Sequence, residues 1–219
     1  MKNRTIVLSI FVLFLFFFSF TANAAENELA SGICGDNLTW IIDDSGTLLI
    51  SGTGAMYDYS YSNCAPWREY ADEIQDIVIE GGVTTIGNYA FYQLHHLTTL
   101  SFEDGLLSVG DNAFYNCSGL TSVSFGTDLE SIGDDAFQFC DNLISIDLPN
   151  EMSVIGESAF DACRSLSHFE IPHGVTCIED HTFKDCSNLI SIHIPDTVTS
   201  IEYGAFIGCE SLISVVIPD

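Results

Sequence analysis

The chain is 219 residues long and carries a formal net charge of −26, from 31 acidic against five basic residues. A field of that sign excludes nucleic acid and anionic lipid headgroups as partners and favours cations and basic ligands, a solvated acidic surface being the plainer reading. The length alone suits one domain or two small ones, and internal repetition decides between them.

At the start, Lys2 and Arg4 precede an apolar run from Ile6 to Phe18 and the small-residue segment Thr21-Ala22-Asn23-Ala24-Ala25. This order predicts a signal peptide over 1–24, cut after Ala24, with an uncut signal anchor as the competing reading. Cleavage leaves Arg68, Arg164 and Lys184 against all 31 carboxylates. No second hydrophobic segment follows, so no membrane insertion is expected after cleavage.

Residues 25–67 form an N-terminal cap segment. Residues 38–42 and 47–51 read as two strands joined by Asp43-Asp44-Ser45-Gly46, a hairpin signal. A loop rich in Gly, Ser and Tyr follows, with Tyr57, Tyr59 and Tyr61 alternating. These aromatics could stack on a sugar or a protein, and packing as part of the cap is the favoured expectation.

From residue 68 to 219 the chain repeats. Six of the ten phenylalanines beyond the leader stand at Phe91, Phe114, Phe137, Phe160, Phe183 and Phe206, always 23 residues apart. Cysteine follows three residues later in five copies (Cys117, Cys140, Cys163, Cys186, Cys209), and leucine six residues later in all six. Apolar residues at nine and eleven after the phenylalanine alternate with polar ones, which is the period of a strand. Pro149, Pro172, Pro195 and Pro218 stand at its exit, where a missing N–H is harmless. A second short extended run follows, such as Val175 to Ile178, then a turn glycine (Gly87, Gly110, Gly133, Gly156), then a helical turn carrying Ala-Phe-x-x-Cys. Ile74, Ile77, Ile79, Val83 and Ile86 extend the columns backward, with Arg68 in the phenylalanine slot. Seven strands are predicted, centred near residues 77, 100, 123, 146, 169, 192 and 215. At ~4.8 Å spacing they build a parallel sheet roughly 30 Å long. One unit cannot bury its own apolar face, so the units must stack.

The string Cys-x-x-Leu-x-x-Ile-x-Ile-Pro-x-x-Val-x-x-Ile-x-x-x-x-Phe, from Cys186 to Phe206, resembles the BspA-like subclass of bacterial leucine-rich repeats, as does Cys163 to Phe183. The segment from Cys34 to Trp40, with Gly46 to Met56 and Pro66-Trp67, is similar to the N-terminal part of secreted proteins that carry such arrays in anaerobic gut bacteria. The resemblance covers about residues 33–219. It implies an α/β-type, mostly β, right-handed leucine-rich repeat solenoid with its parallel sheet on the concave face and a β-hairpin cap. It also implies a secreted or cell-surface role in adhesion or host interaction, without catalysis. Glu179 and Glu202 in place of the turn glycine, Thr182 in place of alanine and Leu94 in place of cysteine depart from the pattern.

Site expectations follow from the columns. A line of thiols one solenoid turn apart cannot converge on a zinc ion, so buried thiols acting as small hydrophobes are expected. Cys34 and Cys64 lie outside the repeat, and a disulfide between them is one of two open readings. Asn88, Asp111, Asp134, Glu157 and Asp180 form an acidic column, read as caps of the helical turns, with calcium as the alternative. The solvent-facing strand positions Thr99, Ser101, Ser122, Ser124, Ser145, Asp147, His168, Glu170, Ser191, His193 and Ser214, with Val216, form the candidate binding face. His168, Glu170 and His193 could form a metal or acid–base cluster, but no nucleophile, oxyanion hole or pocket accompanies them, so no catalytic, metal or cofactor site is expected. The expected partner is an extracellular protein or glycan, the alternative being a passive spacer of a larger surface protein. The sequence stops at Pro218-Asp219 directly after a strand, without a polar cap. A fragment with further repeats, or an edge that self-associates, is therefore expected.

Overall fold

The computed structural model describes residues 27–215. The signal peptide expected over 1–24 and its expected cleavage site lie outside these residues, as do Val216 and the terminal Pro218-Asp219. Four strands come first: β1 (Glu28–Gly35), β2 (Leu38–Asp43), β3 (Thr47–Gly52) and β4 (Gly54–Ala55). After a short 3-10 turn at Pro66–Tyr70, twelve strands alternate between two columns. The longer column holds β5 (Asp76–Ile79), β7 (Thr99–Phe102), β9 (Ser122–Ser124), β11 (Ser145–Asp147), β13 (His168–Glu170) and β15 (Ser191–His193). The return column holds β6 (Val83–Ile86), β8 (Ser108–Val109), β10 (Ser131–Ile132), β12 (Val154–Ile155), β14 (Cys177–Ile178) and β16 (Ser200–Ile201).

The expected mostly-β solenoid is present. β3, β5 and β7 pair in parallel, Leu48 beside Ile77 and Ile77 beside Leu100, and the pairs β9–β11 and β13–β15 continue the column, with partners 23 residues apart from β5 onward. The return strands form their own parallel ladders, β4-β6-β8-β10-β12 and β14-β16. The predicted hairpin is β2–β3, with Ile41 opposite Leu49. The antiparallel strand β1 lies outside it and gives the cap a third strand. Six of the seven expected array strands form among the described residues; at the seventh, residues 212–215 have no strand.

The core lies between the two columns. Phe91, Phe114, Phe137, Phe160 and Phe183 are fully buried, and their rings stack at 5.1–5.7 Å from rung to rung. The stack starts at Trp67, whose ring lies 5.5 Å from Phe91, and ends among the described residues at Phe206. The phenylalanine slot of the first rung is thus filled by Trp67, one residue earlier than the period predicts. Trp67 Nε1 donates to the Ala90 carbonyl at 2.8 Å, and the Arg68 guanidinium donates to the carbonyls of Tyr92 and Gln93.

The segment around each phenylalanine is a chain of turns and contains no α-helix, which corrects the expected helical turn. Residues two before and two after the phenylalanine adopt φ between +54° and +60°, as at Asn112 and Asn116 or Asp135 and Phe139. This left-handed backbone is uncommon for non-glycine residues. It points alternate N–H groups along the solenoid axis. Tyr89, Phe91 and Gln93 donate to the carbonyls of Asp111, Ala113 and Tyr115 on the next rung. The remaining amides close tight turns, as Cys117 does to Phe114. A helix would keep these bonds within the rung, whereas the turns use them to tie rungs together.

Candidate binding face

The solvent side of the longer column follows from strand alternation. Leu100, Val123, Phe169 and Ile192 point to the core, so Thr99, Ser122, Ser124, Ser145, Asp147, His168, Glu170, Ser191 and His193 stand exposed on the other side. Ser101 is half-buried and donates weakly to the Ile77 carbonyl; Ser214 is exposed. Register places Ser145 beside Ser122, Asp147 beside Ser124, His168 beside Ser191 and Glu170 beside His193. His168 Nδ1 and Ser191 Oγ are hydrogen-bonded at 2.7 Å. The expected face is therefore brought together as one surface, apart from Val216, which lies outside the described residues.

Two open depressions lie on this face. One, of about 450 Å³, is lined by residues including His168, Glu170, His193 and Asp196. The other, of about 290 Å³, is lined by residues including Ser145, Asp147, Asn150 and Glu170. Asn150 and Asp196 were not among the expected face residues. Each directly follows a strand-ending proline, and that position was the available signal. Among the described residues no three His, Cys, Asp or Glu side chains are arranged to hold a metal ion, so His168, Glu170 and His193 do not converge on a point.

The other columns have structural duties. The thiols of Cys117, Cys140, Cys163, Cys186 and Cys209 donate to the carbonyls of Phe91, Phe114, Phe137, Phe160 and Phe183, each at 3.1–3.2 Å. Burial pushes the Cys117 thiol up to about 12 and those of Cys140 and Cys163 well above the usual range. Cys34 is buried, its thiol pushed up to about 12 by burial, while Cys64 is exposed; the structure holds both as free thiols and does not join them.

The acidic column caps, but across rungs. Asn88 Oδ1 accepts the N–H of Asp111, Asp111 that of Asp134, Asp134 that of Glu157, and Asp180 that of Tyr203, at 2.7–3.0 Å. The expected caps of a local helical turn are replaced by acceptors for the next repeat. The turn glycines fit the same arrangement, since a Cβ at Gly133 would collide with Asp111 Oδ1. Of the alternating tyrosines, Tyr59 packs edge-on against Trp67, Tyr57 donates to Asp36, and Tyr61 is exposed beside Tyr92.

The repeat geometry has a counterpart among known proteins. The model of the BspA type leucine-rich repeat region matches in six copies, over residues 67–190 and 108–219. The chain belongs to the BspA-type leucine-rich repeat family. Among solved structures, a leucine-rich repeat protein of T. pallidum is 25% identical with a TM-score of 0.65, over 83% of this chain and 91% of that one. A leucine-rich repeat protein of Bacteroides ovatus is 23% identical with a TM-score of 0.66, over 84% of this chain and 52% of that one. One from Eubacterium ventriosum is 22% identical with a TM-score of 0.54, over 86% of this chain and 66% of that one. No curated protein matches the chain in sequence. Among the described residues no helix is long and apolar enough to cross a membrane.

Proposed function

We propose that this BspA-type chain is a secreted or cell-surface, non-catalytic binding module that engages an extracellular protein or glycan through the solvent face of its longer strand column. The observation that carries this reading is the division of labour among the columns. Phenylalanine, leucine and cysteine fill the core, and the acidic column ties rungs together. The strand face is left with exposed Ser, Thr, Asp, Glu and His side chains and the two depressions. Solenoids present such extended sheets to partners. A binding role is favoured over catalysis because the two depressions on the described part of the face are open and their polar lining side chains are exposed. The acidic balance disfavours nucleic acid and anionic membrane surfaces. The signal peptide expected over residues 1–24 agrees with an extracellular role.

The test is retention of the purified protein on a panel of extracellular matrix proteins and glycans, beside a variant with Ser122, Ser124, Asp147 and Glu170 replaced by alanine. Retention lost in the variant supports the reading. Retention that ignores these substitutions overturns it, and no retention on any panel member favours the passive spacer.

A further inference from the structure

We propose that the face across β11, β13 and β15 is a trough for a basic polypeptide segment, whose arginine or lysine side chains sit against Asp147, Glu170 and Asp196. The proposal rests on the strand face being the binding surface and adds which partner chemistry it takes. The two depressions share His168, Phe169 and Glu170 in their linings, so they adjoin as one trough spanning three strands, with Asp147 on one side and Asp196 on the other.

The carboxylates of this trough are unspent. Some acidic side chains elsewhere are bound within the chain: Asp43 accepts the Thr47 N–H, Asp134 that of Glu157, and Asp161 binds Gln138 and Lys184. Among the described residues, Asp147, Glu170 and Asp196 make no side-chain hydrogen bond or ion pair. Nor does any cation of the described chain reach them. Arg68 is held by Tyr92 and Gln93, Arg164 by Asp141, and Lys184 by Asp161 and Asp185. Their charge is therefore available to a partner.

Geometry and lining favour an arginine or lysine over a sugar. Asp147 and Glu170 occupy one column on successive rungs and line the same depression, so one guanidinium seated there can meet both carboxylates. The exposed columns carry no Trp, Tyr or Phe to stack against a pyranose ring, the feature a sugar site would use.

The experiment measures binding of a fluorescein-labelled hexa-arginine peptide by anisotropy at physiological salt. It compares the unaltered protein, an Asp147→Asn/Glu170→Gln variant and a Glu130→Gln/Glu151→Gln variant with the same charge change on exposed residues outside the trough. The trough variant should weaken binding about fivefold or more, as expected for two charge pairs at a partly exposed site, while the control stays within about twofold. Equal losses in both variants, or no loss in either, would overturn the proposal. If the peptide ignores the trough but matrix or glycan retention still needs Ser122 and Ser124, the basic-segment inference falls and the face reading stands. If neither binding depends on the face, both fall.

Discussion

Oδ1 of Asp134 accepts the backbone N–H of Glu157 at 2.8 Å, across one full turn of the solenoid. The same bond joins Asp111 to Asp134, and Asn88 makes it to Asp111 without a charge. What this bond needs is an acceptor at a fixed reach. Asp134→Ala should lower stability by about 1 kcal/mol, the usual loss for removing a side-chain cap, and Asp134→Asn should cost far less. Urea unfolding checks both; equal losses would show that the charge, not the acceptor, matters.

Asp135 gives a pH dependence of opposite sign to that of a stabilising carboxylate. Burial, followed by the nearby charges of Asp134, Glu157, Asp161 and Asp111, raises it from 3.8 to about 6. Between these values the folded chain keeps a proton that the unfolded chain has released. Its contribution to stability therefore falls as pH rises from about 4 to 6 and stays lowered above. Asp135→Asn should raise the melting temperature at pH 7 and lose that advantage at pH 4. Asparagine also suits the left-handed backbone there, as Asn112 does in the preceding rung. A difference that is the same at both pH values would refute the assignment.

The thiols should separate by burial. Cys64 is exposed, whereas Cys34, Cys117, Cys140, Cys163 and Cys186 are buried. An aromatic disulfide reagent at pH 8 should label Cys64 quickly in the native protein and the buried five only on unfolding, since the thiolate is the reactive form. Rapid native labelling of the column would contradict its place in the core.

Phe137 lies between Phe114 and Phe160, ring centroids 5.1 and 5.7 Å away, with no solvent exposure. Phe137→Ala should cost about 3–5 kcal/mol, the range for emptying a buried aromatic site. A loss below about 1 kcal/mol in denaturant titration would mean that the rungs stack more loosely than these distances show.

The array was legible because each column repeats one physical constraint. Alternation around Val123 and Phe169 marks strands, and the phenylalanine period marks the rung. The backbone around each phenylalanine was misread as helical, since Ala-Phe-x-x-Cys is compatible with a helical turn. Its left-handed residues are visible in hindsight at Gly204 and Gly208, which fall on the same two positions as Asn112 and Asn116. Strand β1 was harder to see, because Ala30, Ser31 and Gly32 give weak alternation, and only the Asp36-Asn37 turn before Leu38 hints at a hairpin. The face residues could be listed from spacing. Their joining into a trough could not, because Asn150 and Asp196 enter it from turns outside the strand period.

Hydroxyl-radical footprinting of the protein, free and bound to a matrix protein or glycan it retains, tests the central claim most directly. Protection should fall on the exposed strand positions from Ser122 to His193, with the turn flank around Tyr92 and Tyr115 unchanged. Protection on that flank, with the strand face still open to the radical, would contradict the account.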